Sequence, residues 1–205
     1  MDKLIIIGAG GHGKVAADIA EKMGKYAGIS FLDDGEITES LGFPIIGRVR
    51  DVDKYVSDHE FFVAIGNPDI RKRIADNLIK IGAHIATLIH PSAVIGKQVT
   101  VGKGSAIMAG SVINPCTSIG EGCIINTSSS VDHDCRLGDY VHVAVGAHVA
   151  GAVSIGDFTW IGAGATVSNK ISICEAAMIG AGAVVVTDIT ERGTYVGVPA
   201  KRIIK

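Results

Sequence analysis

From residue 89 to residue 185 the chain places an aliphatic residue at every sixth position: Ile89, Ile95, Val101, Ile107, Ile113, Ile119, Ile125, Val131, Leu137, Val143, Val149, Ile155, Ile161, Val167, Ile173, Ile179 and Val185. A helix repeats about every 3.6 residues and a strand about every two, so neither explains this period. A repeat architecture therefore takes precedence over any local reading. The residue after each aliphatic is often Gly, Asn or Asp, as at Gly96, Gly102, Asn114, Gly120, Asp132 and Gly138. Those types tolerate tight corners and positive φ, which places the corner of the repeat there. Two positions before each aliphatic stands a small or β-branched residue, such as Ser105, Cys123, Cys135, Ala147 and Ala165.

Three hexads make one coil with three short flat faces, a triangular prism with the aliphatics stacked inside. Residues one coil apart then lie on the same face of adjacent coils, about 4.8 Å from one another. The pattern never slips, so no long loop interrupts the prism. A site must use outward side chains, the ends, or the space between subunits.

The 205 residues suffice for two modest domains. A net charge of −2 argues against nucleic acid or an anionic membrane as the main partner. The uncharged stretch from Tyr140 to Gly156 contains His142 and His148 and stays in hexad phase, so it reads as prism and not as a membrane span. The apolar run Leu4–Ile7 is too short for a signal peptide. Four cysteines show no metal-ligand spacing. Cys123 and Cys135 occupy the small inward slot, whereas Cys116 and Cys174 fall at outward or corner positions. Reduced thiols and no anchor predict a cytoplasmic protein.

Ahead of the prism, residues 1–84 read as a Rossmann-like α/β domain, with 85–205 as the prism and a C-terminal cap. KLIII at 3–7 is a buried strand, followed by Gly8-Ala9-Gly10-Gly11-His12-Gly13 and a helix over about 14–23. Strands over 29–32, ending at Asp33-Asp34, and over 61–65, leading into Gly66-Asn67-Pro68-Asp69 and a helix through Ile81, complete the alternation. Such alternation implies a parallel sheet with crossover helices, with ligands at the carboxyl ends of the strands. Gly8, Gly10 and Gly13 fit a dinucleotide fingerprint, and Asp33 stands where a ribose-binding acid belongs. A helix N-terminus without side chains lets phosphate reach backbone N–H groups, so a nucleotide of some kind is expected. The domain is about half the size of a full dinucleotide fold, which argues against NAD.

GAGGHG, FLDD and AIGNPDIRKRI followed by unbroken hexapeptides resemble the sugar acetyltransferases of the sialic acid O-acetyltransferase and bacillosamine N-acetyltransferase family, over essentially the whole chain. The resemblance implies a left-handed parallel β-helix, a homotrimer with active sites between subunits, acetyl-CoA as co-substrate with no metal required, and a UDP- or GDP-linked amino sugar held by the N-terminal domain. Carried over, Gly10, Gly11 and His12 face the nucleotide-sugar, as do Asp33, Asp34 and Gly66. Arg71 reads either as a further diphosphate contact or as part of a solvated helix face.

Val131-Asp132-His133-Asp134-Cys135 matches the family's VEHE-like motif and places the base at His133 and its supporting acid at Asp134. Histidine accepts a proton near neutral pH, and a neighbouring carboxylate fixes its tautomer. Asp stands where relatives often carry Glu, which leaves the reach to the imidazole open. Gly151 falls three hexads beyond His133 and so one coil above it. A glycine there leaves an accessible N–H for a thioester oxyanion, and the family assigns its matching position that part. The resemblance also implies acetyl-CoA contacts at His142, Gly151, Ala163 and Lys201. His148 reads as structural. Trp160, one coil above His142, reads as a pantetheine wall or a subunit contact. Gly197–Arg202 would cap the last coil, with Lys201 and Arg202 either meeting CoA phosphates or forming a solvated basic tail.

The reaction implied is acetyl transfer from acetyl-CoA to the amine of a nucleotide-linked 4-amino-deoxysugar, direct in a ternary complex. The alternatives are an O-acetyltransferase acting on sialic acid or a related sugar, and a non-catalytic sugar-nucleotide sensor. A zinc hydratase on the same prism would need three convergent His ligands, and His142 and His148 belong to different faces.

Overall fold

The computed structural model describes residues 2–203. Two compact units divide the chain, Met1–Pro91 and Ser92–Lys205. In the first, β1 (Asp2–Ile7) leads into α1 (Gly11–Met23) and β2 (Tyr26–Leu32). A hairpin of β3 (Glu39–Ser40) and β4 (Phe43–Gly47) follows, then a 3-10 turn over Val49–Lys54, β5 (His59–Val63), α2 (Pro68–Lys80) and β6 (His84–Ile85). The six strands form one sheet in the order β3-β4-β2-β1-β5-β6.

Leu4, Ile5, Ile6 and Ile7 are all fully shielded, as a central parallel strand covered on both faces must be. Ile5 and Ile7 pack with Phe61, Val63 and, from α2, Ala75 and Leu78. On the opposite face, His12 of α1 meets Phe62 edge-on. The chain passes from β1 outward through β2, then returns to pair β5 on the other side of β1. That reversal opens a crevice at the carboxyl ends of β1 and β5.

The α1 helix begins at Gly11, ahead of the start that the apolar spacing indicates, because the glycine loop itself supplies the first turn. The sequence pattern also missed β3 and β4, which run antiparallel to each other. Their turn is Leu41-Gly42, with φ of 53° and 77°. Both values suit a tight hairpin, but leucine at the first position hid the signal.

In the second unit the hexads form a left-handed parallel β-helix. Two-residue strands repeat on three faces, with partners one full coil apart: Ile124 beside His142 and then Trp160 on one face, Ser130 beside His148 on the next, Ser118 beside Arg136 on the third. Ile107, Ile113, Ile125, Val131, Val143, Ile161 and Val167 are completely buried. The small inward slots do more than fill space. Ser105, Thr117 and Thr159 donate their hydroxyls to the Gly120, Asp132 and Cys174 carbonyl oxygens at 2.9, 2.6 and 2.9 Å. Cys123 and Cys135 do the same with their thiols, to Gly138 and Ala150 at 3.1 Å each. Every one of these bonds runs from an inward slot to the corner carbonyl one coil on.

The corners differ from the sequence expectation. The glycine after each aliphatic does not hold a positive φ; it permits stacking. A Cβ on Gly156 would stand 2.5 Å from the Glu175 nitrogen, and one on Gly162 2.5 Å from the Ile179 oxygen. Left-handed φ falls further along the corner, where Gln98, Cys116, Asp134, Ala152 and Lys170 line one edge at 58–64°. Each such residue costs about 1–2 kcal/mol, which the coil-to-coil bonds offset. After Val185 the phase shortens: Thr194 pairs with Met178, short of a full coil, and Lys201–Ile203 closes the end as an antiparallel strand against Thr194–Val196.

Gly156→Ala should destabilise the chain by roughly 1–3 kcal/mol, because neither backbone can yield. Gly182, with φ of 66° and no atom within 4 Å of a Cβ, should lose less than about 1 kcal/mol on replacement by Asn, which tolerates that conformation. Urea unfolding midpoints compare the two.

Candidate active site

The corner after Ser130–Val131 carries Asp132, His133 and Asp134. Asp132 Oδ1 accepts two bonds at 2.8 Å, from the Asn114 amide one coil back and from the His133 backbone N–H. The carbonyl of Asp132 is held by Thr117. His133 is thus fixed at its main chain before its side chain makes any contact.

Asp134 adopts φ of 59°, a conformation Asp accepts more readily than most residues. Its Oδ2 lies 2.8 Å from His133 Nδ1, so the shorter Asp side chain does reach the ring. With Nδ1–H donating to the carboxylate, Nε2 keeps its lone pair. The Asp134 hydrogen bond, and after it the charge of Asp132, raise the His133 pKa above the usual imidazole value. Asp132 itself is held below the usual carboxylate range by the two bonds it accepts.

Nε2 faces Gly151. A Cβ on that glycine would fall 2.6 Å from Nε2 and 2.8 Å from Cε1, so the ring occupies the space a side chain would need. Cys135 is no nucleophile. It is completely buried, and burial pushes its thiol pKa up.

His142 stands on a different face from His133. It is 9% exposed, lies 4.0 Å from Trp160 between ring centroids, and meets Asn126 Nδ2 through Nε2 at 3.1 Å. Asn126 was missed in the sequence; its place after Ile125 made it look like a corner former. His148, beside Ser130 on another face, is exposed, and its Nδ1 is 2.9 Å from the Ser130 hydroxyl. Ala163 and Lys201 are exposed. Arg202 is committed elsewhere: it pairs with Glu191 and donates to the Arg192 carbonyl, stapling the cap strand. Among the described residues no three His, Cys, Asp or Glu side chains converge as a metal-ligand set.

In the first unit the glycine loop is built for close approach. A Cβ on Gly13 would overlap the Gly8 carbonyl oxygen, whereas one on Gly10, Gly11 or Gly66 would meet nothing within 4 Å. Gly10 caps α1 without a side-chain bond, which leaves the helix N-terminus open to an anion. Asp33 secures the loop: its two oxygens accept from Ala9 N and Gly35 N at 2.7 Å each. Asp34 Oδ1 accepts from Val49 N at 3.0 Å, and its carbonyl from Arg48. The His12 pKa is lowered to about 4, by burial first and the Arg71 charge second, so its ring is neutral at physiological pH. Nothing among the described residues hydrogen-bonds its Nε2. Arg71 is not a solvated helix residue. It is 1% exposed and donates to the Ile65 and Gly66 carbonyls at 2.7 and 2.9 Å, a role the helical spacing did not reveal.

Residues 3–78 match the family model of the PglD N-terminal domain. Over 113 residues the chain is 36% identical to the UDP-N-acetylbacillosamine N-acetyltransferase of Bacillus subtilis (strain 168), covering 53% of this chain and 52% of that one. The match thus spans about half the length of that curated relative. Solved structures align along the whole chain. The acetyltransferase domain of PglB from Neisseria gonorrhoeae FA1090, in complex with acetyl coenzyme A, is 40% identical with a TM-score of 0.96, covering 98% of each chain. A histidine-to-asparagine variant of perosamine N-acetyltransferase from Caulobacter crescentus, in complex with CoA and GDP-perosamine, is 35% identical with a TM-score of 0.96, covering 100% of this chain and 98% of that one.

Two isosteric substitutions test the electrostatics of the corner. Asp134→Asn, which also tolerates left-handed φ, should lower the His133 pKa most, and Asp132→Asn should lower it less. The direction follows because each removes a negative charge that favours the imidazolium. An NMR titration of the His133 ring reads both shifts; an unchanged midpoint in Asp134→Asn would contradict the pairing.

Proposed function

The chain belongs to the hexapeptide-repeat sugar acetyltransferases that carry a PglD-type N-terminal domain, and on that footing we propose that it transfers acetyl from acetyl-CoA to the amine of a nucleotide-linked 4-amino-deoxysugar. The observation that carries this reading is His133, with Nδ1 on Asp134 and Nε2 over Gly151. A lone pair at Nε2, raised in basicity by two carboxylates, suits it to take a proton from the attacking amine. As nitrogen adds to the thioester carbonyl, the Gly151 N–H receives the negative oxygen. Collapse breaks the C–S bond, and CoA leaves as the thiol after taking a proton. With Cys135 buried, acetyl passes directly between substrates and no acyl-enzyme forms.

The His133 and Asp134 side chains are 58% and 61% exposed. An oxyanion donor works best where water is excluded, which favours a homotrimer whose neighbouring subunit covers this corner and contributes its own His142. Ala163 and Lys201 would then follow the CoA arm. In the N-terminal unit, Gly10 and Gly11 at the open helix end, with Gly66, would take the diphosphate, and neutral His12 with its free Nε2 would hydrogen-bond the sugar-nucleotide. Asp33 and Asp34 would meet ribose or base through the acceptor capacity their loop bonds leave. The four free cysteines accord with a cytoplasmic home.

Thiol release from acetyl-CoA, measured against UDP- and GDP-linked 4-amino sugars and free sialic acid, tests the acceptor. Release with an amino sugar is the expected result; release with sialic acid alone would reassign the chain to O-acetylation. His133→Ala should reduce turnover by roughly 10²–10⁴-fold, the usual worth of a general base. A loss of only a few-fold would remove His133 from the mechanism.

A further inference from the structure

The buried thiol of Cys135 has no part in the chemistry above, yet it touches the site from beneath. Its S–H donates to the Ala150 carbonyl oxygen at 3.1 Å, and that carbonyl belongs to the peptide whose other end is the Gly151 N–H. A trans peptide points its C=O and N–H in opposite directions. Drawing the Ala150 oxygen inward therefore aims the Gly151 N–H outward, to the side where His133 lies. The next peptide is pinned by the same hexad, since Ala152 N donates to the His133 carbonyl at 2.8 Å.

Three other corners that share the inward bond cap the N–H that results, whereas above Thr159 the Glu175 N–H, like that of Gly151, meets no acceptor among the described residues. Thr117 holds the Asp132 carbonyl, and the His133 N–H is taken by Asp132 Oδ1. Ser105 holds Gly120, and the Glu121 N–H goes to Asp139 at 2.8 Å. Cys123 holds Gly138, and the Asp139 N–H goes to Asp157 at 2.8 Å. At Gly151 the preceding residue is Ala150, which has no side-chain oxygen to offer, and the N–H meets no acceptor among the described residues.

We propose that Cys135 is a positioning residue for the acetyl transfer, its S–H fixing the Ala150–Gly151 peptide so that an uncapped N–H faces the thioester oxygen. This rests on the acetyltransferase reading above. Cys123 provides an internal control, because it makes the same contact at the same distance and is equally buried, but below a capped N–H.

The fold accepts apolar residues in this slot, as Ala147, Ala165, Val141 and Val153 are all fully buried there. Cys135→Ala, Cys135→Ser and Cys123→Ala would be compared for thermal midpoint, kcat and KM for acetyl-CoA. Loss of an oxyanion donor costs about 10²–10³-fold, so a donor left in place but no longer aimed should cost at least ~10-fold in kcat. Cys135→Ala should show that loss with little change in KM, Cys135→Ser should restore the rate, and Cys123→Ala should lose comparable stability while keeping its kcat. Equal kcat in the two alanine variants would overturn the proposal, as would failure of serine to rescue. Should Cys135→Ala not fold, Cys135→Val against Cys123→Val makes the same comparison. Absence of transfer by the wild-type protein on every acceptor would instead remove the acetyltransferase reading on which the proposal stands.

Discussion

An inward hydroxyl or thiol reaching the corner carbonyl one coil ahead sets the peptide orientation at five corners of the prism, the one carrying His133 among them. Strand pairing alone sets coil spacing, since each face contributes only a short two-residue strand per coil. The turn between faces is fixed by where its carbonyl points, and Ser105, Thr117, Cys123, Cys135 and Thr159 supply that direction. Orienting the carbonyl orients the next N–H as well. The same interaction that closes a corner thereby presents a row of outward donors, three of them satisfied by Asp, with the Gly151 N–H left uncapped beside His133.

The pairing of His133 with its neighbour in sequence follows from the corner too. In a strand, consecutive side chains point to opposite faces, and in a helix neighbours diverge. His133 and Asp134 meet at 2.8 Å because the left-handed turn at Asp134 swings its side chain back beside the ring. Asp132 on the other flank points down the prism to Asn114. Three consecutive polar residues thus act in three directions: one anchors the corner, one turns its ring toward Gly151, and one holds that ring.

Much of this was legible because period arithmetic is insensitive to local propensity. The aliphatic positions announce the prism, and stepping one coil on from His133 finds Gly151 without coordinates. The roles of glycine were read less well. A Gly after an aliphatic suggested positive φ, whereas it answers to crowding by the next coil, and no single-residue preference encodes a neighbour that far along the chain. Arg71 failed for a similar reason: a charged residue in the first turn of a helix looks solvated until the β5 loop closes over it. Asp33 was read as a ribose-binding acid, whereas its bonds to Ala9 and Gly35 depend on a loop shape that spacing does not convey.

The whole base-and-donor arrangement is contained in a narrow band, from Asn114 at one level through Asp132–Cys135 to Ala150–Ala152 two levels up. Each level is a complete loop of the same backbone path, so chain length beyond the band is a free variable. Duplicating or deleting one whole coil above Lys170 would lengthen or shorten the column and leave the dyad unchanged. A change of a single hexad would rotate everything beyond it by one face, carrying the cap strand away from the sheet it closes. Evolution of such a scaffold is therefore quantised: tall and short relatives can share one site, but only in steps of a full turn.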